Sequence, residues 1–499
     1  MAPNPLRPLP NEAFDYWKAL HLLNRAGFGG TPATVRTLAN LGVEKAVESL
    51  VEFGSPNATS DRQTWDASIR RPPTAEERSI AERARRENDE ATLARLQRER
   101  NERDATDRTQ IQSMRTWWMG RLIETSRPLE EKLTLFWHGH FAAGYRTVQD
   151  SYHMARQNEL FRSNAAGNFR SLAHAMVRDP AMLKYLDNDE NRRGRPNENL
   201  ARELMELFVL GEGNGYTESD IKEGARALTG YTFSDDEFVF EAGNHDSTPK
   251  LLFGKRGDFD GDDFVRLIFE RQAASDFVCL KLFRFFVNDL PGTPSEESQA
   301  FVRALGKLLR ENKFELRPVL KALFRSEYFY AAQHIASVIK SPVQLIAQAV
   351  RSYRTPVRSI ESMASAAGLM GQDLFQPPNV KGWEGGRSWI NTSTLFVRHN
   401  VLVYLLTGRV PTGTRFDANS DRCDVTHLLS EIRESGGDED VSPQSIARFL
   451  CRFSLATRPH PDRIAAIANF LTTTASAPEN DRLLGALALI TAMPEYQLC

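Results

Sequence analysis

The sequence predicts a mainly α protein: a large multi-helix globular domain, a small antiparallel β insert at about 231–254, and a protruding charged helical arm. Two observations predict the helices. Apolar residues recur three and four apart along most of the 499 residues, the period of a helix with one buried face. The punctuation between these stretches is helical too, with hydroxyl or carboxylate residues before the runs and Gly or Pro after them. A third observation predicts the insert: the β-prone pieces Tyr231-Thr232-Phe233, Phe238-Val239-Phe240 and Leu251-Leu252-Phe253 cluster in one place between polar turns.

Taken in order, Phe14 to Ala26 forms a first amphipathic helix, broken by Gly27-Phe28-Gly29-Gly30. Thr31-Pro32 opens the next helix with a capping oxygen and a proline in its first turn. A glycine turn before a helix N-terminus can hold an anion, but here it is ordinary helix-hairpin grammar. From Pro72 to about Thr109 the chain is dense in charge, and Thr74 with Glu77 starts it with a capping box. The apolar stripe of that segment, Ile80, Ala81, Leu93 and Leu96, is thin. It should therefore project as a solvated arm or meet a partner protein over 74–109. Helices follow closely from Trp117-Trp118 to Gly230, resume at Asp262, and continue to the end of the chain. The expected organisation is an N-terminal helical segment (1–71), the arm (72–110), a main domain holding the insert (111–410) and a C-terminal helical segment (411–499). The last limit rests on the Gly, Pro, Asn, Asp and Thr richness of Pro411 to Arg422.

Composition excludes several function classes. Lys+Arg 63 against Asp+Glu 65 gives a formal charge of -2, without the basic excess of a general nucleic-acid binder. Cys279, Cys423, Cys451 and Cys499 show no C-x-x-C spacing, which removes zinc ribbons and thioredoxin-like motifs and suits a reduced, cytoplasmic chain. Met1-Ala2-Pro3-Asn4-Pro5-Leu6 lacks the basic-then-apolar start of a secretory signal, and no stretch approaches the length of a membrane span. A cytoplasmic location away from membranes is the expectation; a signal removed ahead of Met1 would make it periplasmic. No G-x-S-x-G, P-loop or dinucleotide fingerprint is present, which lowers serine hydrolase, nucleotide hydrolase and Rossmann chemistry.

The most informative stretch is Phe136-Trp137-His138-Gly139-His140-Phe141, two imidazoles in an apolar aromatic run. Histidines in such surroundings must find partners or bind something, because an unpaired buried polar group costs a few kcal/mol (roughly). A helix running unbroken through residue 140 would set His138 and His140 about 200° apart. Gly139 permits an ending that would let them converge. A divalent metal held by His138, His140, Asp187 and Glu198, with Glu203 or His245 as other ligands, is one use of the pair. Acid–base chemistry without metal is a second, and structural histidines bonded to carbonyls or carboxylates a third.

Glu198, Arg202 and Glu206 fall on one helix face, with Glu203 beside them and Asn197 and Asn199 flanking. A salt-bridge ladder is the plain account; a catalytic carboxylate, Glu198 or Glu203, is the functional one. His245-Asp246 joins the candidates because an Asp can orient an imidazole. Asp258, Asp260 and Asp262 imitate a calcium loop, but the glycine falls one place early and the twelfth position is Phe269, so they are expected to cap a helix. Thr217 and Asp220 should cap another. The long loop Gln376 to Thr392 is either the wall of a site or a plug over a core. As a wall, Trp383 or Trp389 would stack on a polar ring such as a sugar, while Lys381, Asn391 and Arg202 bind it.

These motifs together resemble the bacterial family catalogued as domain of unknown function 1800. The likeness rests on His21 to Gly29, the Phe136 to Phe141 box, Asn197 to Gly211 with Tyr216-Thr217-Glu218, Ala227 to Gly230, His245-Asp246 and Pro377 to Thr392. It names a family without assigning a mechanism. The usual family stretch reads His-Asp-Pro-Gly-Pro-Lys, and Ser247-Thr248 replace its middle pair here while Lys250 keeps its place. The resemblance implies an exported protein engaged in polymer or envelope chemistry. The expected function is thus cleavage of a polar, carbohydrate-like substrate by a His/carboxylate site, hydrolase-like or lyase-like, with or without a metal. The competing expectation is a non-enzymatic binding or assembly protein whose His and Glu motifs are architectural. In the first case one pocket gathers His138, His140, Glu198, Glu203, His245, Asp246, Arg202, Lys381, Trp383, Trp389 and Asn391.

Overall fold

The structure, a computed structural model, describes residues 4–54, 63–289, 292, 294–356, 358–409, 423–436 and 442–499. The Pro411 to Arg422 stretch that motivated the second domain limit lies outside them. Helices dominate throughout, and the only strands among the described residues are two antiparallel hairpins. β1 (Tyr231–Ser234) pairs with β2 (Glu237–Phe240), and β3 (Lys250–Leu252) with β4 (Lys255–Gly257).

Local chemistry sets the helix starts. α1 (Tyr16–Arg25) is capped by Asp15, and α2 (Pro32–Val51) by Thr31 with Pro32 in its first turn. The charged segment becomes a helical hairpin: α3 (Ala75–Glu87) opens with the Thr74/Glu77 capping box, turns at left-handed Asn88, and packs back on α4 (Glu90–Glu124). Ile80, Ala81, Leu93 and Leu96 are half-buried, so the thin stripe is spent holding this hairpin together. α4 runs unbroken across residue 110: its outer half is solvated, while Ile111, Met114, Trp118, Leu122 and Ile123 are buried. Thr217/Asp220 form a capping box, and Asp260 caps the helix Gly261–Phe269 through the Asp263 amide.

Two apolar cores organise the molecule. The first gathers α1, α2 and the helices between residues 169 and 325. The second gathers the inner half of α4, the helices Pro342–Tyr353, Ile360–Leu369 and Thr392–Thr407, and the C-terminal helices from His427 onward. α5 (Pro128–His140) lies between them, giving Leu129, Leu133, Phe136 and Trp137 to the first core and Leu135 to the second. Chain ends are tied to the middle by isolated bridges, Pro8 to Ser326 and Leu498 to Ile339. No helix among the described residues is long and apolar enough to cross a membrane.

Candidate functional site

The site is built on the C-terminal end of α5. Pro128 occupies its first turn, and the helix does not stop at Gly139: it runs to His140, and the Phe141 amide still donates to the Trp137 carbonyl at 2.8 Å. His138 and His140 therefore point to different sides of the helix. The convergence that a shared metal requires does not occur. Among the described residues no three His, Cys, Asp or Glu side chains are grouped to hold a metal ion. The set His138, His140, Asp187, Glu198 is thus not assembled.

His138 is 1% exposed, with Trp118, Phe375 and Trp383 packed around its ring. The Phe375 amide donates to its Nε2 at 3.1 Å, so that nitrogen carries no proton. His140 is 7% exposed, among Trp137, Phe141, Phe208 and Phe277. Its Nε2 lies 2.8 Å from the Phe208 carbonyl, which can only accept, so Nε2 donates and Nδ1 is left as an acceptor. That Nδ1 is buried with no donor among the described residues. Burial pushes both imidazoles down to about 3, and for His140 the charge of Lys281 adds to the effect. Both rings are neutral at physiological pH.

The Phe208 carbonyl is available because of the helix that carries it. Asn199–Glu203 is α-helical, and Leu204–Val209 continues as a π-helix, followed by Leu210 and by Gly211 at φ +86°. Carbonyls in a last turn lack intrahelical partners, and π segments gather at functional positions. Glu203 sits at the junction, half-buried, with no hydrogen bond or ion pair given to its carboxylate by any described residue. Burial raises its pKa and Glu206 adds to the rise, while Arg202 and Lys381 oppose it. Tyr185, also raised by burial, feels the Glu203 charge. Glu198 and Glu206 have a different fate: Arg202 binds them at 3.0 and 3.1 Å and takes Glu218 at 2.9 Å. That ladder is a rim of matched charge.

The loop Gln376 to Thr392 closes over the end of α5. Gly382, at φ +75°, lies against the Gly139 carbonyl so closely that a Cβ there would overlap it, and the Trp383 ring edge covers Gly139. Trp383 thus reaches the histidine box, with its Nε1 buried and without an acceptor. Lys381 is exposed on the same turn, which Asn379 fixes by accepting from the Lys381 amide at 2.8 Å. Trp389 is buried near Gly371 and Asn391 caps the helix Thr392–Thr407, so these two plug and cap instead of lining the site.

His245 and Asp246 belong to the insert. His245 Nδ1 lies 2.8 Å from the Thr229 carbonyl, and Asp246 accepts from Arg226 at 2.7 Å and from the Thr248 amide and hydroxyl. Those bonds, Arg226 first, hold the Asp246 carboxyl well below its usual range. Lys250 Nζ donates to the Asp246 carbonyl at 2.5 Å. The pair fastens the insert to the end of the helix Glu218–Ala227, with no hydrogen bond or ring contact to the α5 site. Asp187, in the left-handed region, is exposed and gives its carbonyl to Asn197. An open cavity of about 290 Å³ at the start of the helix Ala273–Phe286, lined by Asn214, Glu270, Arg271, Gln272 and Ala273, includes none of the predicted residues.

Sequence reasoning passed over Lys281. It lies mostly buried on the helix Ala273–Phe286, its Nζ 5.2 Å from the Phe277 ring centre, and that ring packs against Gly211 and faces His140. Burial lowers its pKa, and Arg284 and Lys381 lower it further. The signal was present: Cys279-Leu280-Lys281-Leu282-Phe283 sets one charge in an apolar run. Phe277 beside His140 and Trp383 over Gly139 thus bring Lys281 and the Lys381 turn toward the end of α5, and Glu203 feels the Lys381 charge.

A model of the family described as "Protein of unknown function (DUF1800)" matches residues 21–498. No curated protein and no solved structure matches the chain.

Proposed function

The chain belongs to the DUF1800 family, whose description assigns no activity, and we propose from its site that it is an acid–base enzyme cleaving a polar, hydroxyl-rich substrate over the end of α5. The observation that carries this is Glu203: a half-buried carboxyl raised by burial, unbonded, beside cations it does not touch. A carboxyl whose pKa burial raises holds its proton to higher pH than a free one, which suits it to give a proton to a leaving oxygen. Its neighbour Glu206 is engaged by Arg202 at 3.1 Å, so the two carboxylates sit in environments that set them apart. Trp383 supplies an apolar flank and Lys381 a cation at the rim. His138 and His140 act here as a fixed floor: neutral imidazoles, each bonded to main chain, hold the π-helix and the loop in register. No step is assigned to a metal, because no ligand set converges among the described residues.

The test is turnover of a panel of neutral and acidic oligosaccharides by the full chain, with pH profiles for wild type and Glu203→Gln. The expected result is measurable cleavage that Glu203→Gln lowers by about 100-fold or more, the usual scale for a general acid, with an unchanged melting temperature. Full activity in Glu203→Gln, or no turnover of any member, overturns the proposal.

A further inference from the structure

Ahead of the helix Asn199–Glu203 the chain makes one tight turn, Arg192-Arg193-Gly194-Arg195. The Arg195 amide donates to the Arg192 carbonyl at 2.9 Å, and Gly194 takes the third place at φ +87°, as a type II turn requires. The scaffold beneath is buried and hydrogen-bonded. Asn191, 2% exposed, donates from its side chain to the Ala225 carbonyl and to Asn188 at 3.0 Å each and accepts from the Asn197 amide at 2.9 Å; Asn188 donates to the Tyr231 carbonyl at 2.8 Å. The Arg193 amide, 2.7 Å from the Asn244 carbonyl, pins the turn to the insert.

Those bonds are made by main chain and asparagine, and the arginine side chains take no part in them. All three arginines are exposed, and no described residue gives their guanidinium groups a hydrogen bond, an ion pair or a ring contact. Arg192 and Arg195 face each other as antiparallel bridge partners, so their stems start roughly 5 Å apart at Cβ, and like charges placed opposite one another destabilise a pairing. The nearby acids do not answer them: Asp189 is held by Lys184 at 3.0 Å, Glu241 accepts from Asn244, and Asp187 and Glu190 pair with none of the three. A turn whose fold needs no charge, yet carries three guanidinium groups on a fixed frame, is preorganised for oxyanions. Guanidinium forks bind carboxylate or sulfate bidentately, and the frame lowers the ordering cost of binding.

We infer that the Arg192–Arg195 turn is a binding element for an acidic polysaccharide, separate from the Glu203 site and on the approach to it. At most roughly 20 Å of chain separates Arg195 from Glu203, a span that several sugar residues bridge. Beside Asn244, His245 carries the exposed Phe240 ring at 5.1 Å, an apolar face next to the charges. Nucleic acid gains its affinity from many phosphate contacts at once, which three cations on a chain of formal charge -2 do not supply. The choice of a sugar polymer rests on the catalytic reading above; the charge of the ligand and its place rest on the turn.

The test is calorimetric titration of the full chain with polygalacturonate, dextran sulfate and neutral dextran, alongside single-stranded DNA and vesicles of anionic phosphatidylglycerol. The expected result is binding of one acidic polysaccharide at least ~10-fold tighter than dextran, the scale of a few exposed charge contacts together, and weakening with added salt. The uronate and sulfate arms distinguish which oxyanion is meant. Arg192→Gln/Arg195→Gln should abolish the preference without lowering the melting temperature, since it removes two opposed like charges and no bond. Equal affinity for dextran, a preference that survives the double variant, a lowered melting temperature in that variant, or tighter binding of DNA or vesicles than of either acidic polysaccharide overturns the inference. The two proposals fail separately. Glu203→Gln leaves the turn intact and should bind the acidic polymer as wild type does, so an intact preference with full activity in that variant removes the catalytic role alone; Glu203-dependent cleavage without charge preference removes the role of the turn alone.

Discussion

The two ends of α5 treat buried polar groups in opposite ways. At the N-terminal end Glu131 is sealed in, and Arg162 binds it at 2.7 Å, Arg121 also pairs with it, and the Trp118 indole donates at 3.0 Å. Burial alone would raise its carboxyl, but Arg162 and Arg121 outweigh that and hold it low. Lys132, one residue on, donates to Gln344 and to the Gly27 carbonyl at 2.9 Å. Some two turns later the same helix ends beside a neutral imidazole whose Nδ1 has no donor and an indole without an acceptor among the described residues. Charge that is matched inside the chain stabilises architecture, whereas buried polarity left unmatched calls for another explanation.

The contrast makes predictions in descending size. Glu131→Ala should be the most damaging change, because it strands Arg162 in the interior; a loss of about 3–5 kcal/mol is expected by urea unfolding. A loss below about 1 kcal/mol would mean that the paired end is no more structural than the open one.

Next comes pH. The folded imidazoles of His138 and His140 lie at about 3, below the ordinary 6.5. The unfolded chain therefore takes up protons that the folded chain refuses. The stability these rings contribute is complete above about pH 6.5 and is lost as pH falls toward 3, at up to ~1.4 kcal/mol per pH unit for each ring. Asp179, pushed up to about 6 by burial, works the other way, so the histidine contribution is read as the difference in slope between wild type and a His138→Gln/His140→Gln double variant. Equal slopes would show that the rings are accessible to protons in the folded state.

A smaller effect is expected from His140→Phe, which leaves the Phe208 carbonyl without its donor; about 1–3 kcal/mol should be lost, together with amide protection in the π-helix on hydrogen exchange. Smallest is Asp246→Asn, which should loosen the 245–257 hairpin region in hydrogen exchange while leaving Glu203-dependent cleavage unchanged. A drop in that cleavage would join the insert to the site after all.

Much of the fold could be read from local chemistry. Thr31-Pro32, Thr74/Glu77, Thr217/Asp220 and Asp260 announce helix starts through bonds made within four residues, and the insert announces itself by three β-prone runs. The site was legible in part. The histidine box and Trp383 do pack together, Trp383 against His138 and Gly139, because the aromatic run and the glycine loop each advertise unusual local demands. His245-Asp246, Trp389 and Asn391 were named and stand elsewhere: adjacency in the chain suggested a dyad, whereas Arg226 and Thr229, about twenty residues back, determine what that pair does. Convergence of His138 and His140 was left to Gly139, yet a glycine only permits a helix to end, and packing on both cores keeps this one going. Lys281 escaped because its importance lies in what faces it, which no spacing encodes.

α4 has a mechanical consequence. At a rise of 1.5 Å per residue its 35 residues form a rod of about 52 Å, with no proline and its sole glycine at Gly120, near the inner end. Trp118, on that rod, rests edge-on against the His138 ring at 5.3 Å between centroids. A rod without a joint carries displacement of its solvated tip to Trp118 and the His138 ring against it, so the hairpin and the buried histidine box are mechanically continuous.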